Sequence, residues 1–96
     1  MSDCLFCKIA AGELPADIVH QDDQVVAFRD IQPQAPTHLL IIPRKHIATL
    51  NDVGPEDAPL LGHLYRVAQQ LAVQEGIAEA GYRTVINCNA RGGQAV

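Results

Sequence analysis

Phe28-Arg-Asp-Ile-Gln-Pro-Gln-Ala-Pro-Thr-His-Leu-Leu-Ile-Ile-Pro-Arg-Lys-His46 is the stretch on which the reading of this chain turns. It leaves an apolar run through Arg29 and Asp30, passes two prolines and enters a second apolar run. Pro33 and Pro36 fix φ and push their preceding residues out of helical geometry, so residues 31–37 read as an extended connection. Leu39 to Ile42 is a short apolar run bounded by turn signals, which predicts a strand covered on both faces. Pro43 and the charged pair Arg44-Lys45 end it. The stretch therefore delivers Asp30 at one strand end and His46 just past another. Polar groups at the ends of buried strands are well placed to line a pocket.

Working outward, 96 residues read as one small domain. The formal net charge of −4, with seven Lys and Arg, provides neither a basic nucleic-acid stripe nor a polybasic membrane patch. No apolar run approaches the ~20 residues of a membrane-crossing helix. The N-terminus lacks the basic-then-apolar order of a secretory signal. Three cysteines, an odd number, argue against a closed disulfide framework and for a reducing compartment, most simply the cytoplasm.

Before the opening stretch, Ser2 or Asp3 is placed to cap a short helix from about Cys4 to Ala11, stopped by Gly12. Ile18 to His20 and Val25 to Arg29 read as a hairpin around turn chemistry at residues 21–24. One face of the second strand carries Val26 and Phe28, the other Val25, Ala27 and Arg29. After the stretch, residues 47–54 read as irregular. The main helix starts near Ala58 with Asp57 as its cap and Pro59 in the first turn. Leu60, Leu64, Val67 and Leu71 make an apolar stripe suited to a sheet, and Gly76 ends the helix. Residues 82–89 alternate again and predict a further strand, followed by a Gly-rich loop. Strands, then a helix, then a strand suit an antiparallel α+β sheet.

Several constellations carry chemistry. Cys4 and Cys7 form a Cys-x-x-Cys, which fits a metal half-site completed by His46 or His20, a redox pair, or two thiols packed as small apolar groups. Asp30 is suited either to a turn or to accepting from two vicinal ribose hydroxyls. His38 heads the apolar strand and reads as a structural histidine bonding backbone. His63 lies at the edge of the helical stripe. Gly92-Gly93-Gln94 can present backbone N–H groups to a phosphate. Asn87, inside an alternating run, needs hydrogen-bond partners if buried.

The residues of the opening stretch resemble the core of the histidine triad (HIT) family, in its Hint (protein kinase C inhibitor-like) branch. The similarity runs in order through residues 4–9, Ala27 to Ile31, Gln34 to His38, Ile42 to His46, Leu61 to Leu64 and Gly92 to Gln94. The resemblance implies a five-stranded antiparallel sheet with two helices, homodimers and binding of purine nucleoside monophosphates. It implies hydrolysis of nucleoside phosphoramidates or related α-phosphate-linked nucleotides through a nucleotidyl-histidine intermediate. Carried over by position, Leu5, Phe6, Ile9, Phe28 and Ile31 would wall the base, with Arg29 grouped beside them. Asp30 would hold the ribose, and Asn87 and the Gly93 backbone would face the phosphate. Some members bind structural zinc at positions matching Cys4, Cys7 and His46.

One feature departs from the family. Its His-x-His-x-His strand would begin just after Val96, so the expectation is a single HIT-like domain truncated before its last strand, with no catalytic residue of its own. Two functions follow: a nucleotidyl hydrolase whose nucleophile lies beyond residue 96, or a non-catalytic nucleotide-binding or interaction module.

Overall fold

The computed structural model describes residues 4–96. Two compact units divide it: one closes at His46 and also holds Val96, and the other is Ile47–Ala95.

The first unit carries helix α1 (Leu5–Ala10) and strands β1 (Ile18–Gln21), β2 (Val25–Arg29) and β3 (Leu39–Pro43), antiparallel in the order β1-β2-β3. Ser2 and Asp3, the expected caps of α1, lie outside the described residues. Cys4 occupies the N-cap position in extended conformation. The helix ends as Gly12 predicts. At φ 78° it lets its own N–H reach Ile9 O and the Glu13 N–H reach Lys8 O, which satisfies two otherwise orphaned carbonyls.

The hairpin turn is built on Asp22. Its Oδ1 accepts from the Gln24 and Val25 N–H groups at 2.8 and 2.9 Å, a local side-chain bond that favours the turn over continued strand. Ile18 pairs with Phe28 but His20 with Ala27, so β1 gains one residue on β2 around Val19, an irregularity of the bulge type.

The strand covered on both faces is β2 rather than β3. Val25, Val26, Ala27 and Phe28 are all buried, whereas in β3 only Ile42 is. The reason is position. β2 lies between two partners, while β3 is an edge of the sheet among the described residues, so an equally apolar run keeps some exposure there. Pro43 is compatible with that edge. Val26, Phe28 and Ile42 form the core of this unit, and Phe6, Ile9 and Ala10 of α1 pack against it with Ala16 and Leu40. Burying a side chain of this size contributes about 1.5–3 kcal/mol.

In the second unit, short 3₁₀ turns at Leu50–Asp52 and Pro55–Asp57 bring more order to this region than expected. Thr49 accepts from the Asn51 N–H and donates to Asp52, closing the first turn. Helix α2 (Ala58–Gln74) follows as predicted, with Val67, Leu71 and Ala72 buried. Asp57 precedes it, but its carboxylate accepts from the Gly54 N–H at 3.0 Å and so caps the 3₁₀ turn rather than α2. Gly76, at φ 75°, closes α2 with the same pair of bonds that Gly12 makes.

The expected strand at residues 82–89 is corrected. Residues 82–88 are assigned to no strand, and Tyr82, Val85 and Ile86 are exposed. Alternation reports which side chains can face a core, whereas a strand also needs a neighbour for its backbone groups, and alternation does not encode that neighbour.

Candidate functional site

Two side-chain groups in the first unit concentrate the chemistry. Helical spacing puts Cys4 and Cys7, three residues apart, on one face at the start of α1. His46 follows β3, and its Nδ1 lies 3.1 Å from Cys7 Sγ. The ligand atoms of Cys4, Cys7 and His46 all lie within 4.8 Å of one another, so the three can hold a metal ion. Around tetrahedral zinc, two sulfurs stand about 3.8 Å apart and sulfur and nitrogen about 3.5 Å apart, close to the spacing already present. All three cysteines are free thiols. The backbone N–H of Cys7 holds the Cys4 thiol below its ordinary pKa. Burial opposes this, and the Cys7 side chain and Phe6 N–H add to it. A more acidic thiol is a readier metal ligand. His20, the alternative third ligand, is not part of this group: its Nε2 pairs with Asp22 Oδ2 at 2.8 Å.

Arg44 braces these elements, a role that sequence reasoning missed. Its Nε donates to Asp22 O and its Nη1 to Ala10 O, each at 2.7 Å. One side chain thus ties the C-terminal end of α1 to the hairpin turn, and a cation there complements the helix dipole. Sequence spacing gives no hint of the pairing, because its partners are backbone carbonyls 22 and 34 residues away.

The second group lies where β2 leaves the sheet. Asp30 Oδ1 accepts from the Gln32 N–H at 2.9 Å, and the Asp30 N–H donates to His38 O at 3.0 Å. His38 Nδ1 accepts from the Gln34 N–H at 2.9 Å, and its Nε2 lies 3.4 Å from Asp30 Oδ2. The structural reading of His38 is thereby met, and its ring also faces the carboxylate. Phe6 and Phe28 meet edge to face, with ring centroids 6.0 Å apart. Phe28 itself is buried in the core. Leu5 is 47% exposed and Ile31 93% exposed, so both keep apolar surface available to a ligand. Arg29 is occupied locally: its Nε lies 3.6 Å from Asp17 Oδ2.

Asn87 and Gly93 belong to the second unit, where they face one another: Asn87 Nδ2 donates to Gly93 O at 3.4 Å. The Gly-rich loop is internally closed. The Gly93 N–H donates to Ala90 O, and Gln94 bonds Asn89 through both side chain and backbone. Gly93 adopts φ 79°, a conformation that costs glycine least.

The fold and these groups define a small α+β protein with a cysteine–histidine cluster that can hold a metal ion and a histidine-flanked carboxylate at a strand end. A family model described as "Scavenger mRNA decapping enzyme C-term binding" matches residues 3–96. The chain is 56% identical over 94 residues to a purine nucleoside phosphoramidase of Escherichia coli K12, covering 98% of this chain and 79% of that protein. The crystal structure of a HIT family hydrolase from Legionella pneumophila superposes with a TM-score of 0.97 at 60% identity, covering 98% of this chain and 84% of that one. A histidine triad nucleotide-binding protein from Candida albicans gives 0.88 at 33% identity, covering 98% and 68%. The chain belongs to the histidine triad family. No helix among the described residues is long and apolar enough to cross a membrane.

Proposed function

We propose that this chain supplies the nucleotide-binding part of a HIT hydrolase acting on purine nucleoside phosphoramidates or other α-phosphate-linked nucleotides. The observation that carries this is the Asp30 carboxylate, fixed at the end of β2 between the Gln32 N–H and the His38 ring in a chain 56% identical to a purine nucleoside phosphoramidase. A carboxylate so held suits a vicinal diol. Leu5, Phe6, Ile9, Phe28 and Ile31 would offer the base its apolar wall, with Arg29 alongside, and Asn87 and Gly93 would attend the phosphate.

The nucleophile in this proposal is a histidine beyond Val96. Among the histidines present, His20 is engaged with Asp22, His38 with Gln34 and Asp30, and His46 with Cys7. The fourth, His63, lies on α2. The imidazole would attack the α-phosphorus, the P–N bond would break with the amine leaving protonated, and water would release the nucleotide. Within the same reading, Cys4, Cys7 and His46 hold structural zinc that staples α1 to the end of β3. The natural setting is a single HIT-like domain in a two-fold homodimer, in a reducing cytoplasm that keeps the thiols free.

The test compares adenosine 5′-phosphoramidate hydrolysis by the 96-residue chain with that by a version extended by a His-x-His-x-His strand, alongside AMP binding to both. The expected result is AMP binding with turnover in the extended version alone. Turnover by the short chain that survives substitution of all four histidines would refute the assignment of the nucleophile. AMP binding with no turnover in either version would favour a non-catalytic nucleotide-binding module.

A further inference from the structure

The Asp30 carboxylate offers about four acceptor sites, two on each oxygen. The Gln32 N–H takes one on Oδ1 at 2.9 Å, and the His38 ring faces Oδ2 at 3.4 Å. Three sites are thus not hydrogen-bonded, and an N–H from the ring would leave two, the number that a vicinal diol needs. Which two remain depends on the carboxylate's rotation, and the His38 ring is the side chain in a position to set it.

The ring's own state follows from its other edge. Nδ1 accepts the Gln34 N–H at 2.9 Å, so Nδ1 carries no proton and the neutral ring bears its proton on Nε2. The nitrogen that carries it is the one that lies 3.4 Å from Asp30 Oδ2. The Asp30 N–H returns to His38 O at 3.0 Å, so the two residues are joined through backbone as well, which fixes their separation across residues 31–37. Both side chains are partly exposed, at 23% for Asp30 and 29% for His38, and so remain reachable by a ligand.

We propose that His38 is a positioning residue for ribose recognition: its Nε2–H orients the Asp30 carboxylate so that its two remaining acceptor sites meet the 2′- and 3′-hydroxyls, while its Nδ1 braces the loop through Gln34. This rests on the nucleotide-binding reading above. It goes further by making discrimination for the ribose hydroxyls depend on a side chain that does not touch them.

The two edges of the ring can be separated by substitution. His38→Asn keeps an oxygen near the place of Nδ1, able to accept from Gln34, but cannot reach Asp30. His38→Gln places an amide N–H near the position of Nε2 and gives up the Gln34 bond. AMP and 2′,3′-dideoxy-AMP binding are measured by calorimetry for the wild-type chain and both variants. His38→Asn is also made in an Asp30→Asn background, and urea midpoints report folding. The expected result is that His38→Asn weakens AMP about tenfold and leaves dideoxy-AMP unchanged, the loss of roughly one hydrogen bond's worth of orientation. His38→Gln should keep most of the preference for AMP, and with Asp30→Asn present the His38→Asn effect should fall below about twofold. Equal losses for both nucleotides, or an undiminished effect in the Asp30→Asn background, would make His38 a loop brace only and overturn the proposal. No loss in any variant would overturn it as well. Failure of the wild-type chain to bind AMP would refute the nucleotide-binding reading itself and this inference with it, an outcome distinct from binding without the ribose-dependent split.

Discussion

Replacing Arg44 with methionine removes two charged-donor hydrogen bonds while keeping most of the apolar stem. The bonds run to Ala10 O and Asp22 O, each at 2.7 Å. A bond to a charged group is worth about 1.5–3 kcal/mol where solvent is excluded. Arg44 is exposed, so each bond belongs nearer the ~0.5–1 kcal/mol of surface pairs, and the two together contribute about 1–2 kcal/mol. For a domain of this size that corresponds to a Tm lower by roughly 4–16 °C. The chain has no tryptophan, so far-UV circular dichroism in urea is the natural probe. Arg44→Lys can reach one carbonyl at most and should lose about half as much. The effect should also reach the metal cluster. Arg44 secures the end of the helix that begins beside Cys4 and Cys7 and lies two residues before His46, so the methionine variant should bind zinc more weakly. Unchanged urea midpoints in both variants would refute the brace, and a lower midpoint with unchanged zinc affinity would refute its link to the cluster.

Phe28→Ala should cost about 3–5 kcal/mol in urea denaturation, since Phe28 is 4% exposed at the centre of the first unit's core; a loss below 1 kcal/mol would mean that the surrounding side chains collapse into the space. Freshly reduced wild-type protein should carry close to one zinc by elemental analysis and Cys7→Ser far less; equal contents would remove the Cys4–Cys7–His46 assignment. Asp30→Asn should weaken AMP by about 10- to 150-fold while barely affecting 2′,3′-dideoxy-AMP, because the amide retains an acceptor for the Gln32 N–H but loses the charge; equal losses would reduce Asp30 to a turn residue.

What the sequence disclosed of the fold was local. Gly12 and Gly76 marked both helix ends, because a left-handed residue there needs no distant partner to be recognised. The hairpin turn was legible for the same reason: Asp22 Oδ1 accepts from the N–H groups two and three places on. What failed depended on neighbours. Nothing within Leu39 to Ile42 says whether that run will be central or at an edge, so its apolarity was read as cover on both faces when Val25 to Phe28 has that cover instead. Residues 82–88 failed in the same way, since side-chain alternation there had no pairing information attached. The bulge in β1 is a further case, because register is a relation between two strands and neither strand's pattern contains it.

At the candidate site the geometry bears on alternatives that the sequence left open. From sequence, Asp30 was either a turn aspartate or a ligand for a diol. The two readings are compatible, because the turn uses one acceptor site of Oδ1 and, with the His38 ring beside Oδ2, restricts the group while leaving capacity for a ligand. In the proposed reading, a carboxylate free to rotate would lose that freedom on binding and bind more weakly, so the turn chemistry would favour recognition. The cysteines follow the same logic from the other direction. Spacing could not separate redox pair, packed thiols and metal half-site, since all three need only Cys4 and Cys7 near each other. The atom that favours the metal reading is 39 residues away: His46 Nδ1 at 3.1 Å from Cys7 Sγ supplies a third donor, which neither a dithiol redox pair nor apolar packing requires. His46 reaches that place because β3 ends at Pro43 and Arg44 then ties the exit to the end of α1. The residues most visible in the sequence thus supply the candidate ligands, and the least conspicuous one braces the elements that carry them.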